Sequence, residues 1–260
     1  MSHIPTPSVR PQSGLRKEAS AGQDWATVAD AFWSLFELVG ASSDALVTEA
    51  HRIRFEVYCR DRRWEPENDG NPGLECDSYD ERARHVLLRY RPENRFVGTM
   101  RSVEPDAVSP EKSFPVQELV DDPRLHQRAR VAGMVEASRF CLSRGRMADL
   151  SPGGEEAAAL RMVNPFLMIG LMVAVIQTPL ELGYADVCAV LEPWLAHRLM
   201  RFGFAMELIG APVEHHGLRQ PCLIPVAGNV DRPIVAENAF LQFFARRQPL
   251  WRPSDWSVAA

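Results

Sequence analysis

The sequence predicts a mixed α/β fold (α+β or α/β) in which a central mixed sheet is flanked by helices. The predicted elements follow one another as helices, a β-hairpin, a strand, a helix, a strand, a helix and further strands. This order combines an antiparallel meander with one crossover helix. The chain has 260 residues, of which 46% are hydrophobic and 24% charged, so it can bury a sizeable core. No internal repeat is visible.

The amino-acid composition of the N-terminal part of the chain changes at residue 23. Residues 1–22 are rich in Pro, Ser and Gly and predict a flexible tail. Residues 25–40 repeat apolar side chains at intervals of three and four, which predicts an amphipathic helix ending at Gly40. A second helix is predicted from Ser43, where Ser43 or Asp44 supplies the cap.

Strands and helices alternate in the rest of the chain. HVLLRY and RFVGTMRSV flank the turn RPEN and predict a β-hairpin, with a third strand over 131–142. Residues 155–182 are predicted to be mostly helical with a kink at Pro165, and ADVCAVLE predicts a buried strand. PWLAHRLMRFGF predicts a short helix, and LIG and PCLIPV predict the closing strands. We therefore expect one domain over residues 23–230 and a C-terminal extension, 231–260, that packs on the domain or trails from it.

Composition excludes several functions. A net charge of −5 and a pI near 5.8 argue against a nucleic-acid binder. Five cysteines, an odd count without a CxxC pair, predict free buried thiols in a reducing cytosol. No signal peptide is expected, and the longest apolar stretch, 166–175, is too short to span a bilayer. We expect a cytoplasmic protein without a transmembrane segment.

One set of charged and aromatic residues is hard to explain by packing. It lies in the segments RFEVYCRDRRW, ECDSYDERARHVLL, VGTMRSV and VEASRFCLSR, which are partly apolar. A domain seldom places several acids and arginines in such segments unless they form a network that binds or reacts. The set comprises Arg54-x3-Tyr58-x5-Trp64, Asp77-x2-Asp80, Arg101 and Glu136-x2-Arg139.

This order and spacing resemble the acyl-homoserine lactone (autoinducer) synthases and the long-chain N-acyl amino acid synthases. The sequence is most similar to the acyltransferases associated with the PEP-CTERM/exosortase system, from about residue 45 to about residue 228. The resemblance implies a GNAT-like acyl-CoA N-acyltransferase fold. It also implies that the charged set forms the catalytic site. Tyr58 stands where the lactone synthases usually carry Phe.

The hairpin places Arg101 opposite roughly His85, close to Asp77 and Asp80. Because a buried arginine needs a carboxylate, we expect Arg101 to pair with one of these acids. An exposed salt bridge of little energetic value is the alternative.

Glu136 and Arg139 stand three residues apart and would face opposite sides of a regular strand. Since the resemblance assigns both to the site, an irregularity such as a bulge is expected between them. Glu136 is the candidate general base, because the attacking amine must lose a proton. A structural Glu–Arg pair is the alternative.

The remaining site candidates are expected to contact substrate. Arg54 and Tyr58 share a helix face, and Trp64 follows in a loop that the resemblance implies covers the acceptor. Ordinary aromatic packing would also explain Tyr58 and Trp64. Ser138 and Phe140 flank Arg139 and are expected at the substrate too.

The sequence favours acyl carrier protein as the acyl donor. No Q/R-x-x-G-x-G/A loop, which grips the pyrophosphate of CoA, follows the third strand. Arg82, Arg84 and Arg89 belong to a basic cluster that is either a solvated face or a docking surface for the acidic carrier. No bound cofactor is expected, and no ligand spacing accompanies His215-His216, so no metal site is expected.

The sequence therefore predicts an N-acyltransferase that moves a fatty acyl chain from acyl-phosphopantetheine on acyl carrier protein to the α-amine of a small amino acid. Acyl-CoA is the less favoured donor. One alternative is an acyl-homoserine lactone synthase that uses S-adenosylmethionine. A non-catalytic GNAT-like binding protein is the other.

Overall fold

The computed structural model describes residues 24–67 and 70–251, so the predicted tail, 1–22, lies outside the described residues. Eight strands form the sheet: β1 (Phe36–Gly40), β2 (Ala83–Tyr90), β3 (Arg95–Val103), β4 (Met134–Leu142), β5 (Asp186–Leu191), β6 (Glu207–Leu208), β7 (Val213–Glu214) and β8 (Leu218–Pro225). The helices are α1 (Trp25–Leu35), α2 (Asp44–Arg54), α3 (Val116–Leu119), α4 (Pro123–His126), α5 (Arg128–Val131), α6 (Arg144–Ala148), α7 (Gly154–Val163), α8 (Leu167–Leu182), α9 (Pro193–Arg201), α10 (Val226–Val230) and α11 (Ala239–Ala245). A π-helical segment, Phe55–Asp61, continues α2.

The sheet has the predicted mixed topology. Its strand order is β1-β2-β3-β4-β5-β8-β6, and β7 pairs with β8. The pairs from β1 to β4 are antiparallel, whereas β4 and β5 run parallel, with α7 and α8 in the connection between them. The β4–β5 pairing covers only Met134 to Glu136 on β4, so the two strands have no further ladder pairing beyond Glu136 and Cys188. The two strands therefore diverge in the middle of the sheet, beyond Glu136.

Three apolar clusters cover the two faces of the sheet. On one face, α1, α7, α8 and α11 form the main core, in which Phe32 packs over Gly170. On the other face, α2 covers Leu87 and Cys141, while α3, α4 and α5 cover Val103 and Met134. Arg101 lies on β3 between these two smaller clusters. The polar site therefore occupies the gap that they leave.

The predicted helix over 25–40 is too long. Helix α1 ends at Leu35, and Phe36–Gly40 forms an edge strand whose residues alternate between buried and half-buried. The burial period changes from three and four residues to two at this point, which is the signature of a strand. Glycine at position 40 is required because a Cβ there would lie 2.4 Å from the Trp251 ring.

Helix α8 is a core helix. By length and hydropathy the continuous helical stretch Gly154–Leu182 could cross a membrane. Within it a 3-10 turn, Asn164–Phe166, marks the predicted kink at Pro165, and almost every residue from Leu167 to Pro179 is buried. Its apolar surface is thus buried inside the protein.

The predicted C-terminal extension contributes to the core as far as residue 251. Phe240 and Phe243 of α11 are fully buried, and Leu250 accepts a hydrogen bond from the Gly40 N–H. The domain boundaries themselves stay a prediction. Of the five cysteines, Cys76 is half-buried, contrary to the prediction, because its loop is partly solvated; the other four are buried.

Candidate active site

The register of three neighbouring strands brings the central site residues together. Arg101 on β3 lies opposite His85 on β2, as the hairpin turn predicts, and opposite Ser138 on β4. The Arg101 Nε donates to Ser138 Oγ at 3.1 Å. Glu136 pairs with Val103, two residues along β3, and therefore shares this face.

A bulge in β4 resolves the spacing of Glu136 and Arg139. Thr99 pairs with Cys141 and Arg101 with Ser138, so β4 carries one extra residue. Arg139 takes the left-handed conformation there, with φ of 50°. Its side chain consequently reaches Asp77, which Arg101 also contacts, and the irregularity expected from the spacing is present.

Asp77 and Asp80 are held by a capping box at a 3-10 turn, Ser78–Arg82. Asp77 caps the turn by accepting from the Tyr79 N–H at 2.9 Å. The Asp77 N–H in turn donates to Asp80 Oδ2 at 2.8 Å. The turn thereby fixes both carboxylates at the start of β2, facing Arg101.

Two buried arginines link these acids into a network. Arg101 Nη1 donates to Asp77 Oδ1 at 2.6 Å and to Asp80 Oδ1 at 2.8 Å. Arg54 Nη1 donates to Asp80 Oδ1 at 2.6 Å, and its Nε donates to Glu75 Oε2 at 2.5 Å. Both arginine side chains have no exposed surface.

Arg139 closes the network into a ring. It donates from Nε to Glu75 Oε1 at 3.1 Å and from Nη2 to Asp77 Oδ2 at 3.1 Å. Three guanidiniums and three carboxylates thus alternate, each joined to two partners. A further acid, Glu65, accepts from Arg139 Nη2 at 3.0 Å outside the ring.

The ring favours the charged forms of Asp80, Glu75 and Arg54. Burial acts to raise the pKa of Asp80 and of Glu75, but the Arg54 guanidinium outweighs it and holds both values below their usual range. Burial likewise opposes the charge of Arg54, yet its bonds to Asp80 and Glu75 raise its pKa. A ring of fixed charges in a desolvated site supplies a preorganised field.

Glu136 stands outside the ring, as Glu65 does, but it is buried on β4. Its side chain is almost fully buried, and its Oε2 accepts from the Val116 N–H at 2.8 Å. Burial raises the pKa of Glu136 to about 7, although Arg101 and Arg139 lie near enough to oppose the shift. A carboxyl that titrates near neutral pH is suited to accept a proton and return it.

An aromatic group covers the side of the ring that carries Arg139. Tyr58 donates from its hydroxyl to the Phe140 carbonyl at 3.2 Å, and Arg139 lies over its ring. Trp64 lies 5.9 Å from the Tyr58 ring and stacks on His216 at the same centroid distance.

Sequence reasoning missed four residues of this region. Glu75 stands two residues before Asp77 in the same acidic segment, a signal that was available. Glu65 and His216 meet the site through loops, and Arg219, on β8, lies 5.0 Å from the centre of the Trp64 ring. No local pattern specifies contacts of that kind.

Arg54 cannot bind substrate as predicted. Its side chain is fully buried, and its donors are engaged by Glu75 and Asp80. It positions these acids instead. Ser138 bonds to Arg101, and Phe140 contributes its carbonyl to Tyr58, so in this structure both hold other site residues in place.

The predicted docking arginines do not form one surface. Arg82 donates to the carbonyls of Glu104 and Ser113, and Arg84 pairs with the Glu104 carboxylate at 2.8 Å. Arg89 lies at the other end of β2, on the opposite face by strand alternation, and pairs with Glu37. Acids neutralise Arg84 and Arg89, and Arg82 bonds to two backbone carbonyls, which weakens the docking prediction.

His51, Asp80 and His85 are close enough to suggest a metal site, with ligand atoms within 4.8 Å of one another. Both oxygens of Asp80 are already occupied, since Arg54 and Arg101 share Oδ1 and the Arg54 Nη2 donates to Oδ2 at 3.0 Å. Burial lowers the pKa of His85 to about 3, with Arg54 acting in the same direction. A cation here would displace an arginine, so the residues do not fit a metal.

The fold and part of the sequence match known proteins. Residues 53–146 match a family model described as an acetyltransferase (GNAT) domain. No curated protein sequence matches the chain. The solved structures that share the fold include MesI, TofI and FeeM.

MesI, a CoA-dependent acyl-homoserine lactone synthase, is 21% identical, with a TM-score of 0.51 over 83% of this chain and 97% of its own. TofI, solved in a ternary complex with an inhibitor and MTA, is 17% identical, with a TM-score of 0.53 over 79% and 96%. FeeM, an N-acyl amino acid synthase from uncultured soil microbes, is 16% identical, with a TM-score of 0.50 over 74% and 91%. The predicted GNAT-like fold is confirmed, and the domain match agrees with the prediction of an acyltransferase enzyme.

Proposed function

We propose that this chain is an N-acyltransferase that moves a fatty acyl chain from acyl carrier protein to the α-amine of a small amino acid. The observation that carries the proposal is the position of Glu136. It is a buried carboxyl with a pKa of about 7, at the last paired residue of β4 before β5 diverges. A buried base beside the point where two strands of the sheet diverge meets the requirements of aminolysis of a thioester.

The reaction follows from this placement. The free amine attacks the thioester carbonyl, and a C–N bond forms while an oxyanion develops. Backbone N–H groups on β4 beyond Glu136, where the ladder to β5 has ended, stabilise that oxyanion. Glu136 takes the proton from the attacking nitrogen and passes it to the departing sulfur as the C–S bond breaks. No covalent enzyme intermediate is required.

The start of α6 supports a carrier protein as donor. In CoA-dependent enzymes of this fold class a helix start grips the pyrophosphate. Here Ser143 Oγ accepts from the Arg146 N–H and donates to Glu56 Oε2 at 2.9 Å. A carboxylate that is itself paired with the Arg146 guanidinium therefore already occupies this helix start, where a pyrophosphate would bind. Because MesI is CoA-dependent, acyl-CoA is the alternative donor against which acyl carrier protein should be compared.

Acyl-homoserine lactone synthesis is the second candidate function. MesI and FeeM share the fold and are named for the two different products. Lactone synthesis additionally requires that the acceptor carboxylate displace methylthioadenosine from S-adenosylmethionine. A non-catalytic binding protein is disfavoured because it has no need for a buried carboxyl that titrates near pH 7. The association with the PEP-CTERM/exosortase system and the cytoplasmic location stay predictions.

The test is an acyl-transfer reaction with the purified protein. The donor is either acyl carrier protein that carries a long acyl chain or the corresponding acyl-CoA, and the acceptors are a mixture of amino acids and S-adenosylmethionine. We expect an N-acyl amino acid and free thiol in equal amounts, with higher kcat/KM for the carrier. Methylthioadenosine released in step with acyl transfer would establish the lactone instead. Equal or higher kcat/KM for acyl-CoA would overturn the donor assignment, and thiol release without acylated amine would overturn the transferase.

A further inference from the structure

The charged ring has one exposed side, which carries Arg139. The side chains of Arg54 and Arg101 have no exposed surface, and that of Asp80 is 9% exposed. The side chains of Asp77 and Arg139 are 28% and 18% exposed. An acceptor therefore has to approach the ring from this side, which the aromatic group covers.

Trp64, at the centre of that aromatic group, is contacted from two distant parts of the chain. Within its own loop, its N–H donates to the Tyr58 carbonyl at 2.8 Å, and the Arg62 guanidinium lies 5.1 Å from the centre of its ring. From the β7–β8 hairpin, His216 stacks on the ring, and the Arg219 guanidinium lies 5.0 Å from its centre. Trp64 thus connects the loop after the π-helical segment with the hairpin.

The two guanidiniums over Trp64 differ in how firmly they are held. Arg62 is exposed and belongs to the same loop as Trp64, so it cannot fix this loop against the rest of the protein. Arg219 lies on β8 and is only 9% exposed. Its Nη2 donates to the His216 carbonyl at 2.7 Å, and its Nη1 donates to the Leu218 carbonyl at 3.1 Å. A desolvated cation attracts an aromatic face more strongly than a solvated cation does.

The tip of the hairpin is a tight turn that directs a carbonyl at this buried guanidinium. His216 and Gly217 take the left-handed conformation, with φ of 51° and 94°. The Gly217 N–H donates to Glu214 Oε1 at 2.9 Å, and the His216 carbonyl accepts from Arg219. A non-glycine residue seldom adopts this conformation, and such residues are concentrated at functional sites. The strained residue here is the one that fixes Arg219.

We propose that Arg219 is a positioning residue for acceptor binding, which acts by holding Trp64 over the exposed side of the ring. This inference rests on the proposed function. Ordering a side chain when a ligand binds costs free energy, so a Trp64 that is already fixed lets the acceptor bind more tightly. The acyl donor reacts at Glu136, beside the point where β4 and β5 diverge, so its binding does not depend on this contact.

The variant Arg219→Gln removes the buried cation from the Trp64 ring. We expect the KM of the amino-acid acceptor to rise by about three- to tenfold, with kcat and the KM of the acyl donor nearly unchanged. Arg219→Lys keeps a cation but loses the fork of donors, so it should restore part of the affinity. Arg62→Gln is the matched control, since it removes the other cation over the same ring, and it should raise the acceptor KM by less than about twofold.

A double-mutant cycle shows whether the effect passes through Trp64. In the background of Trp64→Ala, Arg219→Gln should cause no further rise in the acceptor KM, because the side chain that it positions is already absent. Additive effects of the two substitutions would overturn the inference. Equal rises in the acceptor KM for Arg219→Gln and Arg62→Gln would overturn it as well.

Fluorescence quenching tests the position of Trp64 without any substrate. The emission of Trp64 is the difference between a protein and the same protein with Trp64→Phe. Acrylamide should quench this emission more strongly in Arg219→Gln than in the wild type or in Arg62→Gln, because the indole is then less firmly held against the hairpin. Equal quenching in the three proteins would overturn the inference and leave the proposed function intact.

Failure of the proposed function has a different signature. If the wild type acylated no amine, both the proposed function and the role of Arg219 in acceptor binding would be overturned, whatever the quenching showed. If the wild type acylated an amine and the acceptor KM of Arg219→Gln equalled that of the wild type, only the role of Arg219 would be overturned.

Discussion

The guanidinium of Arg101 lies 2.6 Å from the carboxylate of Asp77, and this bond completes a closed ring of alternating charges. Each arginine in the ring bridges two acids, and each acid bridges two arginines. A buried charge in such an arrangement loses its compensation when any single partner is removed. The ring therefore fixes the geometry of the site and makes it sensitive to single substitutions.

Arg101→Ala should destabilise the fold. The substitution leaves Asp77 and Asp80 with one guanidinium fewer in a desolvated site, a change that costs about 3–5 kcal/mol. Urea unfolding at pH 7 measures it. Arg84→Ala is the control, because its half-exposed guanidinium pairs with Glu104 at the surface and should cost less than about 1 kcal/mol. Equal losses in the two variants would contradict the role of the ring.

The sequence carries enough information to predict the centre of the site. The RPEN turn sets the hairpin register to within one residue, and a bulge at Leu88 and Arg89 then brings Arg101 opposite His85. The three-residue spacing of Glu136 and Arg139 likewise requires a bulge if both face one site. In each case a local rule, turn length or strand period, places the residue only approximately, and a bulge fixes its final position.

Other parts of the site depend on long-range contacts that leave no local pattern. Glu65 reaches Arg139, 74 residues away, only because Arg139 adopts a left-handed backbone conformation. The sequence predicts the end of α1 five residues too late, because Phe36, Leu38 and Gly40 are compatible with both a helix and an edge strand. Pairing with β2 decides between them.

Glu136 should make stability depend on pH. Its folded pKa of about 7 exceeds the value of 4.5 for a free glutamate, so the protonated form is favoured by folding. Its stabilising contribution is present below pH 4.5 and is lost as pH rises towards 7. The free energy of unfolding of the wild type should therefore fall by about 2–3 kcal/mol relative to that of Glu136→Gln as the pH rises from 5 to 7.

Burial lowers the pKa values of His51 and His85, so these residues make the free energy of unfolding rise with pH and oppose the effect of Glu136. Because both proteins contain them, their contribution cancels in the difference between the two free energies of unfolding. Urea unfolding at intervals of half a pH unit gives this difference. A constant difference across the range would show that Glu136 titrates normally.

Trp64 should contribute to acceptor binding. It stacks between Tyr58 and His216 above the exposed side of the ring, so Trp64→Ala opens that side to water. We expect the KM of the amino-acid acceptor to rise by about five- to tenfold with little change in the KM of the acyl donor. Trp194→Ala, at a ring that is 57% exposed, is the control. An unchanged acceptor KM would assign Trp64 to packing alone.

The pH dependence of acyl transfer in the wild type and in Glu136→Gln tests the central claim most directly. We expect kcat/KM of the wild type to rise with pH and to show an inflection near pH 7, where Glu136 ionises and can act as a base. The variant should lose about 10²–10⁴-fold in kcat and show no inflection near pH 7. A variant that keeps wild-type kcat and the same pH profile would contradict the assignment of Glu136 as the general base.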